Sequence, residues 1–331
     1  MKNKILVAGG AGYIGSHMLD CLHENGCEAV VADSLTTGHK DAVKHGELMI
    51  GDIKDGDFLD AVFKKHDISG VIDFAAFSLV GESCKDPLKY YANNVTGAVS
   101  LLAAMNRHGV RNIVFSSTAA VYGEPEKQPV LESDRTLPTN PYGESKLAVE
   151  RLLHWCAEAY GIRYAALRYF NAAGADAAFG IGEDHNPETH LIPIVLSAAL
   201  GKRTGVGVFG DDYPTRDGTC VRDYIHVLDL ADAHLLALQY LEKSGKSDSF
   251  NLGNGSGFSV LEIVETARKV TGRDIPTRIE PRRAGDPSTL IASNEKASAV
   301  LGWKPKRASL ADIIGSAWEW HKAHPNGYGD R

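Results

Sequence analysis

Gly9-Gly10-Ala11-Gly12-Tyr13-Ile14-Gly15, entered directly from the apolar run Ile5-Leu6-Val7-Ala8, constrains this chain more than any other stretch. Four apolar residues are too few for a helix, so they read as a buried strand that runs into a Gly-rich turn. Two registers fit the turn, Gly9-x-x-Gly12-x-x-Gly15 and Gly10-x-Gly12-x-x-Gly15. Both put glycine where backbone must approach a pyrophosphate or where a helix must pack tightly on a strand. The helix that follows then offers its N-terminal amides to phosphate. From Cys27 the chain turns apolar again through Ala29-Val30-Val31-Ala32 and ends on Asp33, roughly 20 residues past the glycines. An acid at that strand end accepts from a ribose 2′-hydroxyl and repels a 2′-phosphate. Strand, glycines, helix and acid in this order predict dinucleotide binding, with NAD as the cofactor.

The same alternation of short apolar runs and helical patterns continues through the first half, which predicts an α/β fold with a parallel sheet. Val71-Ile72-Asp73-Phe74-Ala75-Ala76 and Asn112-Ile113-Val114-Phe115-Ser116-Ser117 read as later strands, with a helical stretch over 88–106 between them. Ligands in such sheets gather at the carboxyl ends of the strands, here Gly9, Asp33, Phe74 to Phe77, and Ser116-Ser117-Thr118. Asp52-Ile53, after another apolar patch, either borders the adenine or leaves Asp52 as a plain turn residue. Beyond residue 170 the pattern breaks into loops rich in Gly, Pro and Asp, with no internal repeat and no low-complexity linker.

Tyr142 and Lys146, four apart in Asn140-Pro141-Tyr142-Gly143-Glu144-Ser145-Lys146, share one face if the segment is helical. A free tyrosine titrates near pH ~10, so it serves as a base at neutral pH only if its phenolate is stabilised by about 4 kcal/mol. A nearby ammonium, helped by a cationic ring, acts in that direction. Taken alone the spacing is also that of an ordinary exposed helical pair.

The 331 residues hold one large or two ordinary domains. A balance of 35 basic against 42 acidic residues gives a net charge of −7 without a long basic tract, which argues against nucleic acid as a partner. No apolar stretch reaches the length of a membrane span and the N-terminal run is shorter than a signal-peptide core, so a cytoplasmic protein without membrane contact is expected. Cys21, Cys27, Cys84, Cys156 and Cys220 are scattered without C-x-x-C spacing, as reduced thiols are, predicting neither disulfide nor zinc.

Together the N-terminal glycines, Phe115-Ser116-Ser117-Thr118-Ala119-Ala120-Val121-Tyr122-Gly123, Tyr142-x-x-x-Lys146 and Arg168-Tyr169-Phe170-Asn171 resemble the extended short-chain dehydrogenase/reductase family that acts on nucleotide sugars. The resemblance runs nearly end to end. Gly81-Glu82-Ser83, Asn93-Asn94-Val95, Gly182-Glu183-Asp184, Val221 to His226, Phe250 to Gly253 and Arg282 to Asp286 are similar to the family's 4-epimerases of UDP-hexoses. It implies a doubly wound (Rossmann) NAD-binding domain over 1–171 and a smaller C-terminal α/β UDP-sugar domain over 172–331. Segments near 221–241 are expected to return to the first domain, and helices 88–106 and 142–160 to form a homodimer interface. Cofactor contacts are implied at Gly9, Gly12, Tyr13, Ile14, Gly15, Asp33, Asp52, Ile53, Phe74, Ala75, Ala76, Asn94, Ser116 and Tyr169, besides Tyr142 and Lys146.

The implied chemistry is interconversion of UDP-galactose and UDP-glucose. Tyr142 takes the proton from the oxygen on carbon 4 and returns it, and Lys146 holds the phenolate and the nicotinamide ribose. Thr118 shares a hydrogen bond between the 4-hydroxyl and the phenol, or else only caps its strand. Related dehydratases carry acidic groups directly after the Thr118 position. Here Ala119 and Ala120 stand there, and a methyl group cannot drive elimination.

Substrate contacts are implied at Arg222 and Arg283 for the diphosphate, Asn171 for diphosphate or sugar, Asp286 for the uridine ribose and Phe209 for the uracil. Leu191 is placed there too, as are three departures from the family. Ser78 stands where some members have a lysine that touches the cofactor ribose, and His190 stands where Asn is common beside the diphosphate. Leu290 replaces a Tyr or Cys near the carbon 2 substituent, which predicts that N-acetylated UDP-hexoses are at least partly accepted. His185, His190 and Glu183 read as loop residues, with no metal expected. A UDP-pentose or UDP-uronate substrate, or a silent NAD-binding regulator, are the alternatives; loss of Tyr142, Lys146 or Thr118 would have signalled the last.

Overall fold

The computed structural model describes residues 4–283 and 287–329. Strand β1 (Lys4–Ala8) leads through the Gly-rich turn to helix α1 (Tyr13–Glu24) and strand β2 (Glu28–Asp33). Then follow β3 (Glu47–Ile50), α2 (Gly56–Lys65), β4 (Ile68–Asp73), α3 (Val80–Lys85), α4 (Pro87–Tyr90) and α5 (Thr96–Arg107). β5 (Asn112–Thr118), α6 (Pro141–Tyr160) and β6 (Arg163–Tyr169) complete the first half. These strands lie parallel in the order β3-β2-β1-β4-β5-β6. That is the doubly wound order whose direction reverses at β1.

Period-two alternation explains why the strands read as unbroken apolar runs. Ile5, Val7 and Val31 enter one core with Met18 and Leu22 of α1, whereas Leu6, Ala8 and Val30 enter the opposite core with Val62, Leu101 and Leu153 of α2, α5 and α6. A strand with a helical layer on each face has no solvent side on which to place polar residues. Local signals set the helix ends. Asn140 caps α6 by accepting from the Gly143 amide at 2.9 Å, Pro141 takes the first turn, and Gly161 ends the helix in the left-handed conformation at φ 68.

In the second half, β7 (Asn171–Ala173), α7 (Leu191–Ala199), β8 (Val206–Phe209), β9 (Val221–Arg222) and β10 (Tyr224–His226) are followed by α8 (Val227–Ser244) and β11 (Asp248–Leu252). The chain closes with β12 (Phe258–Ser259), α9 (Val260–Thr271), β13 (Thr277–Glu280), β14 (Thr289–Leu290) and α10 (Leu310–Ala323). Helices α7, α9 and α10 share a separate core through Val195, Leu196, Ile263, Val264, Ile313 and Ile314. Short pairs accompany it: β10 with β7, β13 with β8, and β9 between β12 and β14. Of the second half, β9 and β10 pair outside the large sheet, whereas α8 and β11 pack back on it. Leu230 and Leu238 of α8 pack in the core of α1, β11 pairs with β6 as the seventh strand, and Leu301 and Trp303 join the same core.

Two expected elements are shorter than their apolar runs. The strand from Val71 stops at Asp73, whose carboxylate accepts from the Ala75 amide at 3.0 Å and bends the chain into a loop. The helix over 88–106 is interrupted by a wide turn over Tyr91–Val95, where Asn94 is buried. Among the described residues no helix is long and apolar enough to cross a membrane.

Candidate active site

At the Gly-rich turn, backbone lies where side chains would stand. Gly9 has φ +73, and a Cβ on it would sit 2.7 Å from the Ala75 nitrogen; on Gly15 a Cβ would strike the Gly9 carbonyl oxygen at 2.2 Å, and on Gly10 the Val31 side chain at 2.8 Å. Around Gly12 a Cβ would meet only the Gly9 oxygen, at 3.3 Å, so this face is open to a ligand. Asp33 accepts from the Ala11 amide at 2.9 Å and the Leu35 amide at 2.8 Å. The strand-end acid thereby holds the turn, and burial pushes its pKa above the ordinary carboxylate value. Glycines and acid fit the pyrophosphate and ribose of a dinucleotide.

Other residues expected at the cofactor are distributed around this turn. Tyr13 donates to the Gly174 carbonyl at 2.7 Å, tying α1 to the second half, while Ile14 and Phe74 pack at the edge of the core. Ala75 and Ala76 lie half-buried in the loop that crosses Gly9. Asp52 accepts from the Lys54 amide at 2.9 Å, which is turn geometry, and Ile53 is buried in the core. Asn94 accepts from the Phe77 amide at 2.9 Å and donates to the Phe77 carbonyl at 3.1 Å and the Ser145 hydroxyl at 3.0 Å. Its amide clamps the β4 loop to α6.

Tyr142 and Lys146 lie on α6 against the carboxyl end of β5. Thr118 ends β5, and its hydroxyl accepts from the Ala120 amide at 3.1 Å, which caps the turn that follows; it also lies near enough to the Tyr142 phenol to favour the phenolate. Burial raises the Tyr142 pKa above 10 and Thr118 opposes this only in part. Lys146 does not reverse it: its Nζ donates to the Ser116 carbonyl at 2.7 Å, 4.8 Å from the Phe115 ring centroid. Burial lowers this ammonium to about 8, against the pull of Asp73 and Glu150. The chain alone therefore holds the phenol protonated, and an additional positive charge is needed to make it a base. Tyr169 and Ser116 share a short hydrogen bond through their hydroxyls.

Behind the pair lies a buried network absent from the sequence reading. Arg168 donates to Glu150 through Nε at 3.0 Å and to the Tyr122 hydroxyl at 2.8 Å, and Ser117 also donates to Glu150. Tyr122 donates to Asn251 at 2.7 Å, and Asn251 donates to the Val130 carbonyl at 3.0 Å. Glu150 stands one turn beyond Lys146, a spacing that marks it as a member of the same helix face. Asp73, raised to about 6 by burial, was likewise not singled out.

The residues expected at the substrate fall into two groups. Asn171 donates to the Asp223 carbonyl at 2.9 Å, next to Arg222, which is paired in register with Leu290 and donates to the Pro287 carbonyl at 2.8 Å. Leu290 also packs against the small core of Val121, Tyr122, Val130 and Leu147 behind Thr118. Arg283 stands apart with its guanidinium 3.8 Å from the centroid of Phe209. Ser78 is exposed in the β4 loop, Leu191 opens α7 half-buried, and Asp286 lies outside the described residues. His190 faces Glu183 and Glu188 through Nδ1, at 3.0 and 2.9 Å.

Residues 5–253 match the NAD dependent epimerase/dehydratase family. Over 324 residues the chain is 60% identical to a UDP-glucose 4-epimerase of Halalkalibacterium halodurans, covering 98% of this chain and 97% of that protein. The solved UDP-glucose 4-epimerase from Brucella ovis in complex with NAD matches with TM-score 0.94 and 48% identity, covering 96% of this chain and 98% of that one. A UDP-Glc/GlcNAc 4-epimerase from Campylobacter jejuni matches with TM-score 0.86 and 42% identity, covering 97% of this chain and 99% of that one.

Proposed function

Because the chain belongs to the NAD dependent epimerase/dehydratase family, we propose that it interconverts UDP-galactose and UDP-glucose through a 4-keto sugar, with NAD retained throughout. The observation that carries this reading is the placement of Tyr142 and the buried ammonium of Lys146 on α6 against the carboxyl end of β5, where Thr118 lies and where Lys146 donates to the Ser116 carbonyl. Bound NAD+ supplies a hydride acceptor and a positive ring charge. Tyr142 takes the proton from the carbon 4 oxygen and gives it back, with Thr118 relaying the hydrogen bond. Gly12 and the start of α1 hold the pyrophosphate, and Asp33 the adenosine ribose. Ala119 and Ala120 offer no acid or base to expel water at that place, so return of the hydride to the keto sugar is the simplest outcome.

Leu290, smaller than Tyr, supports partial acceptance of UDP-N-acetylhexoses beside UDP-hexoses; the Campylobacter relative is named a UDP-Glc/GlcNAc 4-epimerase. A homodimer is supported by apolar side chains left outside on neighbouring elements, Leu88 at 80%, Val99 at 47% and Trp155 at 66% exposure. A monomer in sedimentation would overturn that part. Five unpaired thiols support a reducing, cytoplasmic site of action.

The deciding assay is conversion of UDP-galactose to UDP-glucose without added oxidant, repeated with Tyr142→Phe. Turnover is expected in the unaltered protein and a loss of about 10²–10⁴-fold in the variant. Unimpaired turnover in the variant refutes the mechanism, and no turnover in the unaltered protein refutes the assignment.

A further inference from the structure

The loop between β7 and α7 brings four side chains of ligand type to one point. One ligand atom each from Glu183, His185, Glu188 and His190 lies within 4.8 Å of all the others. The Nδ1 of His185 is 3.2 Å from Glu183 and 3.6 Å from Glu188, and the Nδ1 of His190 is 3.0 Å from Glu183 and 2.9 Å from Glu188. A tetrahedron built on metal–ligand bonds of 2.0–2.1 Å has edges of about 3.3 Å; the distances of both imidazoles from the one Glu183 oxygen, 3.2 and 3.0 Å, and of His185 from Oε2 of Glu188, 3.6 Å, lie around that length. Two further features fit a coordination shell. His185 Nδ1 is buried without a hydrogen bond of proper geometry although it faces two carboxylates. The Glu188 carboxylate is held by the amides of Thr189 and His190, which both donate to its Oε1 at 2.7 Å and leave Oε2 facing His185 Nδ1, the kind of outer contact that fixes a metal-binding carboxylate.

We infer that Glu183, His185, Glu188 and His190 bind one divalent ion of the zinc class. Two imidazoles with two carboxylates suit such an ion, whereas calcium and magnesium favour oxygen alone. Four protein ligands close the shell, so the ion is structural and activates no water. It fastens the loop at the cofactor turn, since the His185 ring stands edge-on to Tyr13 with centroids 6.2 Å apart, and Tyr13 opens α1. The histidines expected to be plain loop residues thus acquire a common role. The site stands independently of which sugar is turned over.

The test uses the full chain stripped with a strong chelator, dialysed against micromolar zinc and analysed for metal, with affinity read by competition against a chromophoric chelator. One zinc per chain is expected, and cobalt(II) in its place should give the intense visible bands of a four-coordinate ion. The double variant His185→Gln, Glu188→Gln, checked for folding by circular dichroism, should weaken zinc binding at least about 100-fold. No uptake by the unaltered chain overturns the proposal whatever the variant does, and so does uptake that survives the double substitution. The first result would mean that the cluster is two imidazolium–carboxylate pairs balancing one another.

Discussion

Lys146 donates to the main-chain carbonyl of Ser116 at 2.7 Å, so its ammonium is fixed to the end of β5 rather than to the Tyr142 phenol one turn before it. In the proposed function it can act on Tyr142 only through its field, from a position the sheet dictates. Lys146→Met keeps most of the apolar stem and removes the charge. Removing one preorganised donor or charge from a water-poor site costs about 10²–10³-fold in turnover. The sign with pH follows, because a phenol without a neighbouring cation ionises at higher pH. The activity lost in Lys146→Met should be regained in part as pH rises. A rate profile that parallels the unaltered enzyme, at a turnover reduced less than about tenfold, would show that this charge does not stabilise the phenolate.

Two glycines of the same turn should fail in different ways. A Cβ on Gly15 meets the Gly9 carbonyl at 2.2 Å, so Gly15→Ala must push α1 away from the turn. Overpacking of this kind costs about 1–3 kcal/mol, and both thermal midpoint and copurified NAD should drop. A Cβ on Gly12 meets only the Gly9 oxygen at 3.3 Å, so Gly12→Ala should melt nearly as the unaltered chain does yet hold less NAD. Equal losses of stability in the two variants would show that Gly12 serves the fold and not the ligand.

Much of this was legible because it is local. β1 and β2 have helices on both faces and therefore read as apolar runs, and the glycines between them are demanded by contacts within the turn itself. The positions of Thr118, Tyr142 and Lys146 at the end of β5 and on α6 follow from local signals in the same way, a strand end and a helix spacing. What was missed depends on long-range pairing. Tyr122 meets Asn251 across 129 positions of chain, and β11, Asp248-Ser249-Phe250-Asn251-Leu252, is too polar to announce a seventh strand. The partner of Lys146 is a carbonyl oxygen, a group every residue carries. Arg283 and Phe209 were assigned to different parts of the ligand, although a planar cation over a ring is itself a favourable contact. The Glu183–His190 cluster sits on irregular backbone, where no period brings side chains together.

Acid should weaken the fold partly through His234. This ring is buried, donates from Nδ1 to the Leu230 carbonyl at 2.8 Å, and has no partner at Nε2. Burial lowers its pKa from 6.5 to about 4. The unfolded chain therefore takes up a proton between these values that the folded chain refuses. Its stabilising contribution is complete above pH 6.5 and is lost as pH falls through 4, with a full span of about 3 kcal/mol. Asp73 and Asp223, both raised to about 6, act in the opposite sense, so the comparison must be with His234→Asn and not with pH alone. Urea midpoints followed from pH 7 to 4.5 should fall less steeply in the variant. Parallel curves would mean that the ring titrates normally in the folded state.

On the proposed function, Leu290 sets how much room the sugar's carbon 2 substituent has. β14 sets it beside Arg222, and its side chain rests on the small core that contains Tyr122 and Leu147, so a larger residue has no space to turn inward. In Leu290→Tyr the added ring must extend toward the ligand. An N-acetyl group should then be excluded while a hydroxyl still fits. A contact of this size is worth about 10–200-fold in discrimination, and it should appear as a fall in kcat/KM for UDP-N-acetylglucosamine relative to UDP-glucose. Both substrates assayed on one preparation cancel any loss of active protein, so an unchanged ratio would remove Leu290 from the pocket and leave substrate breadth to other residues.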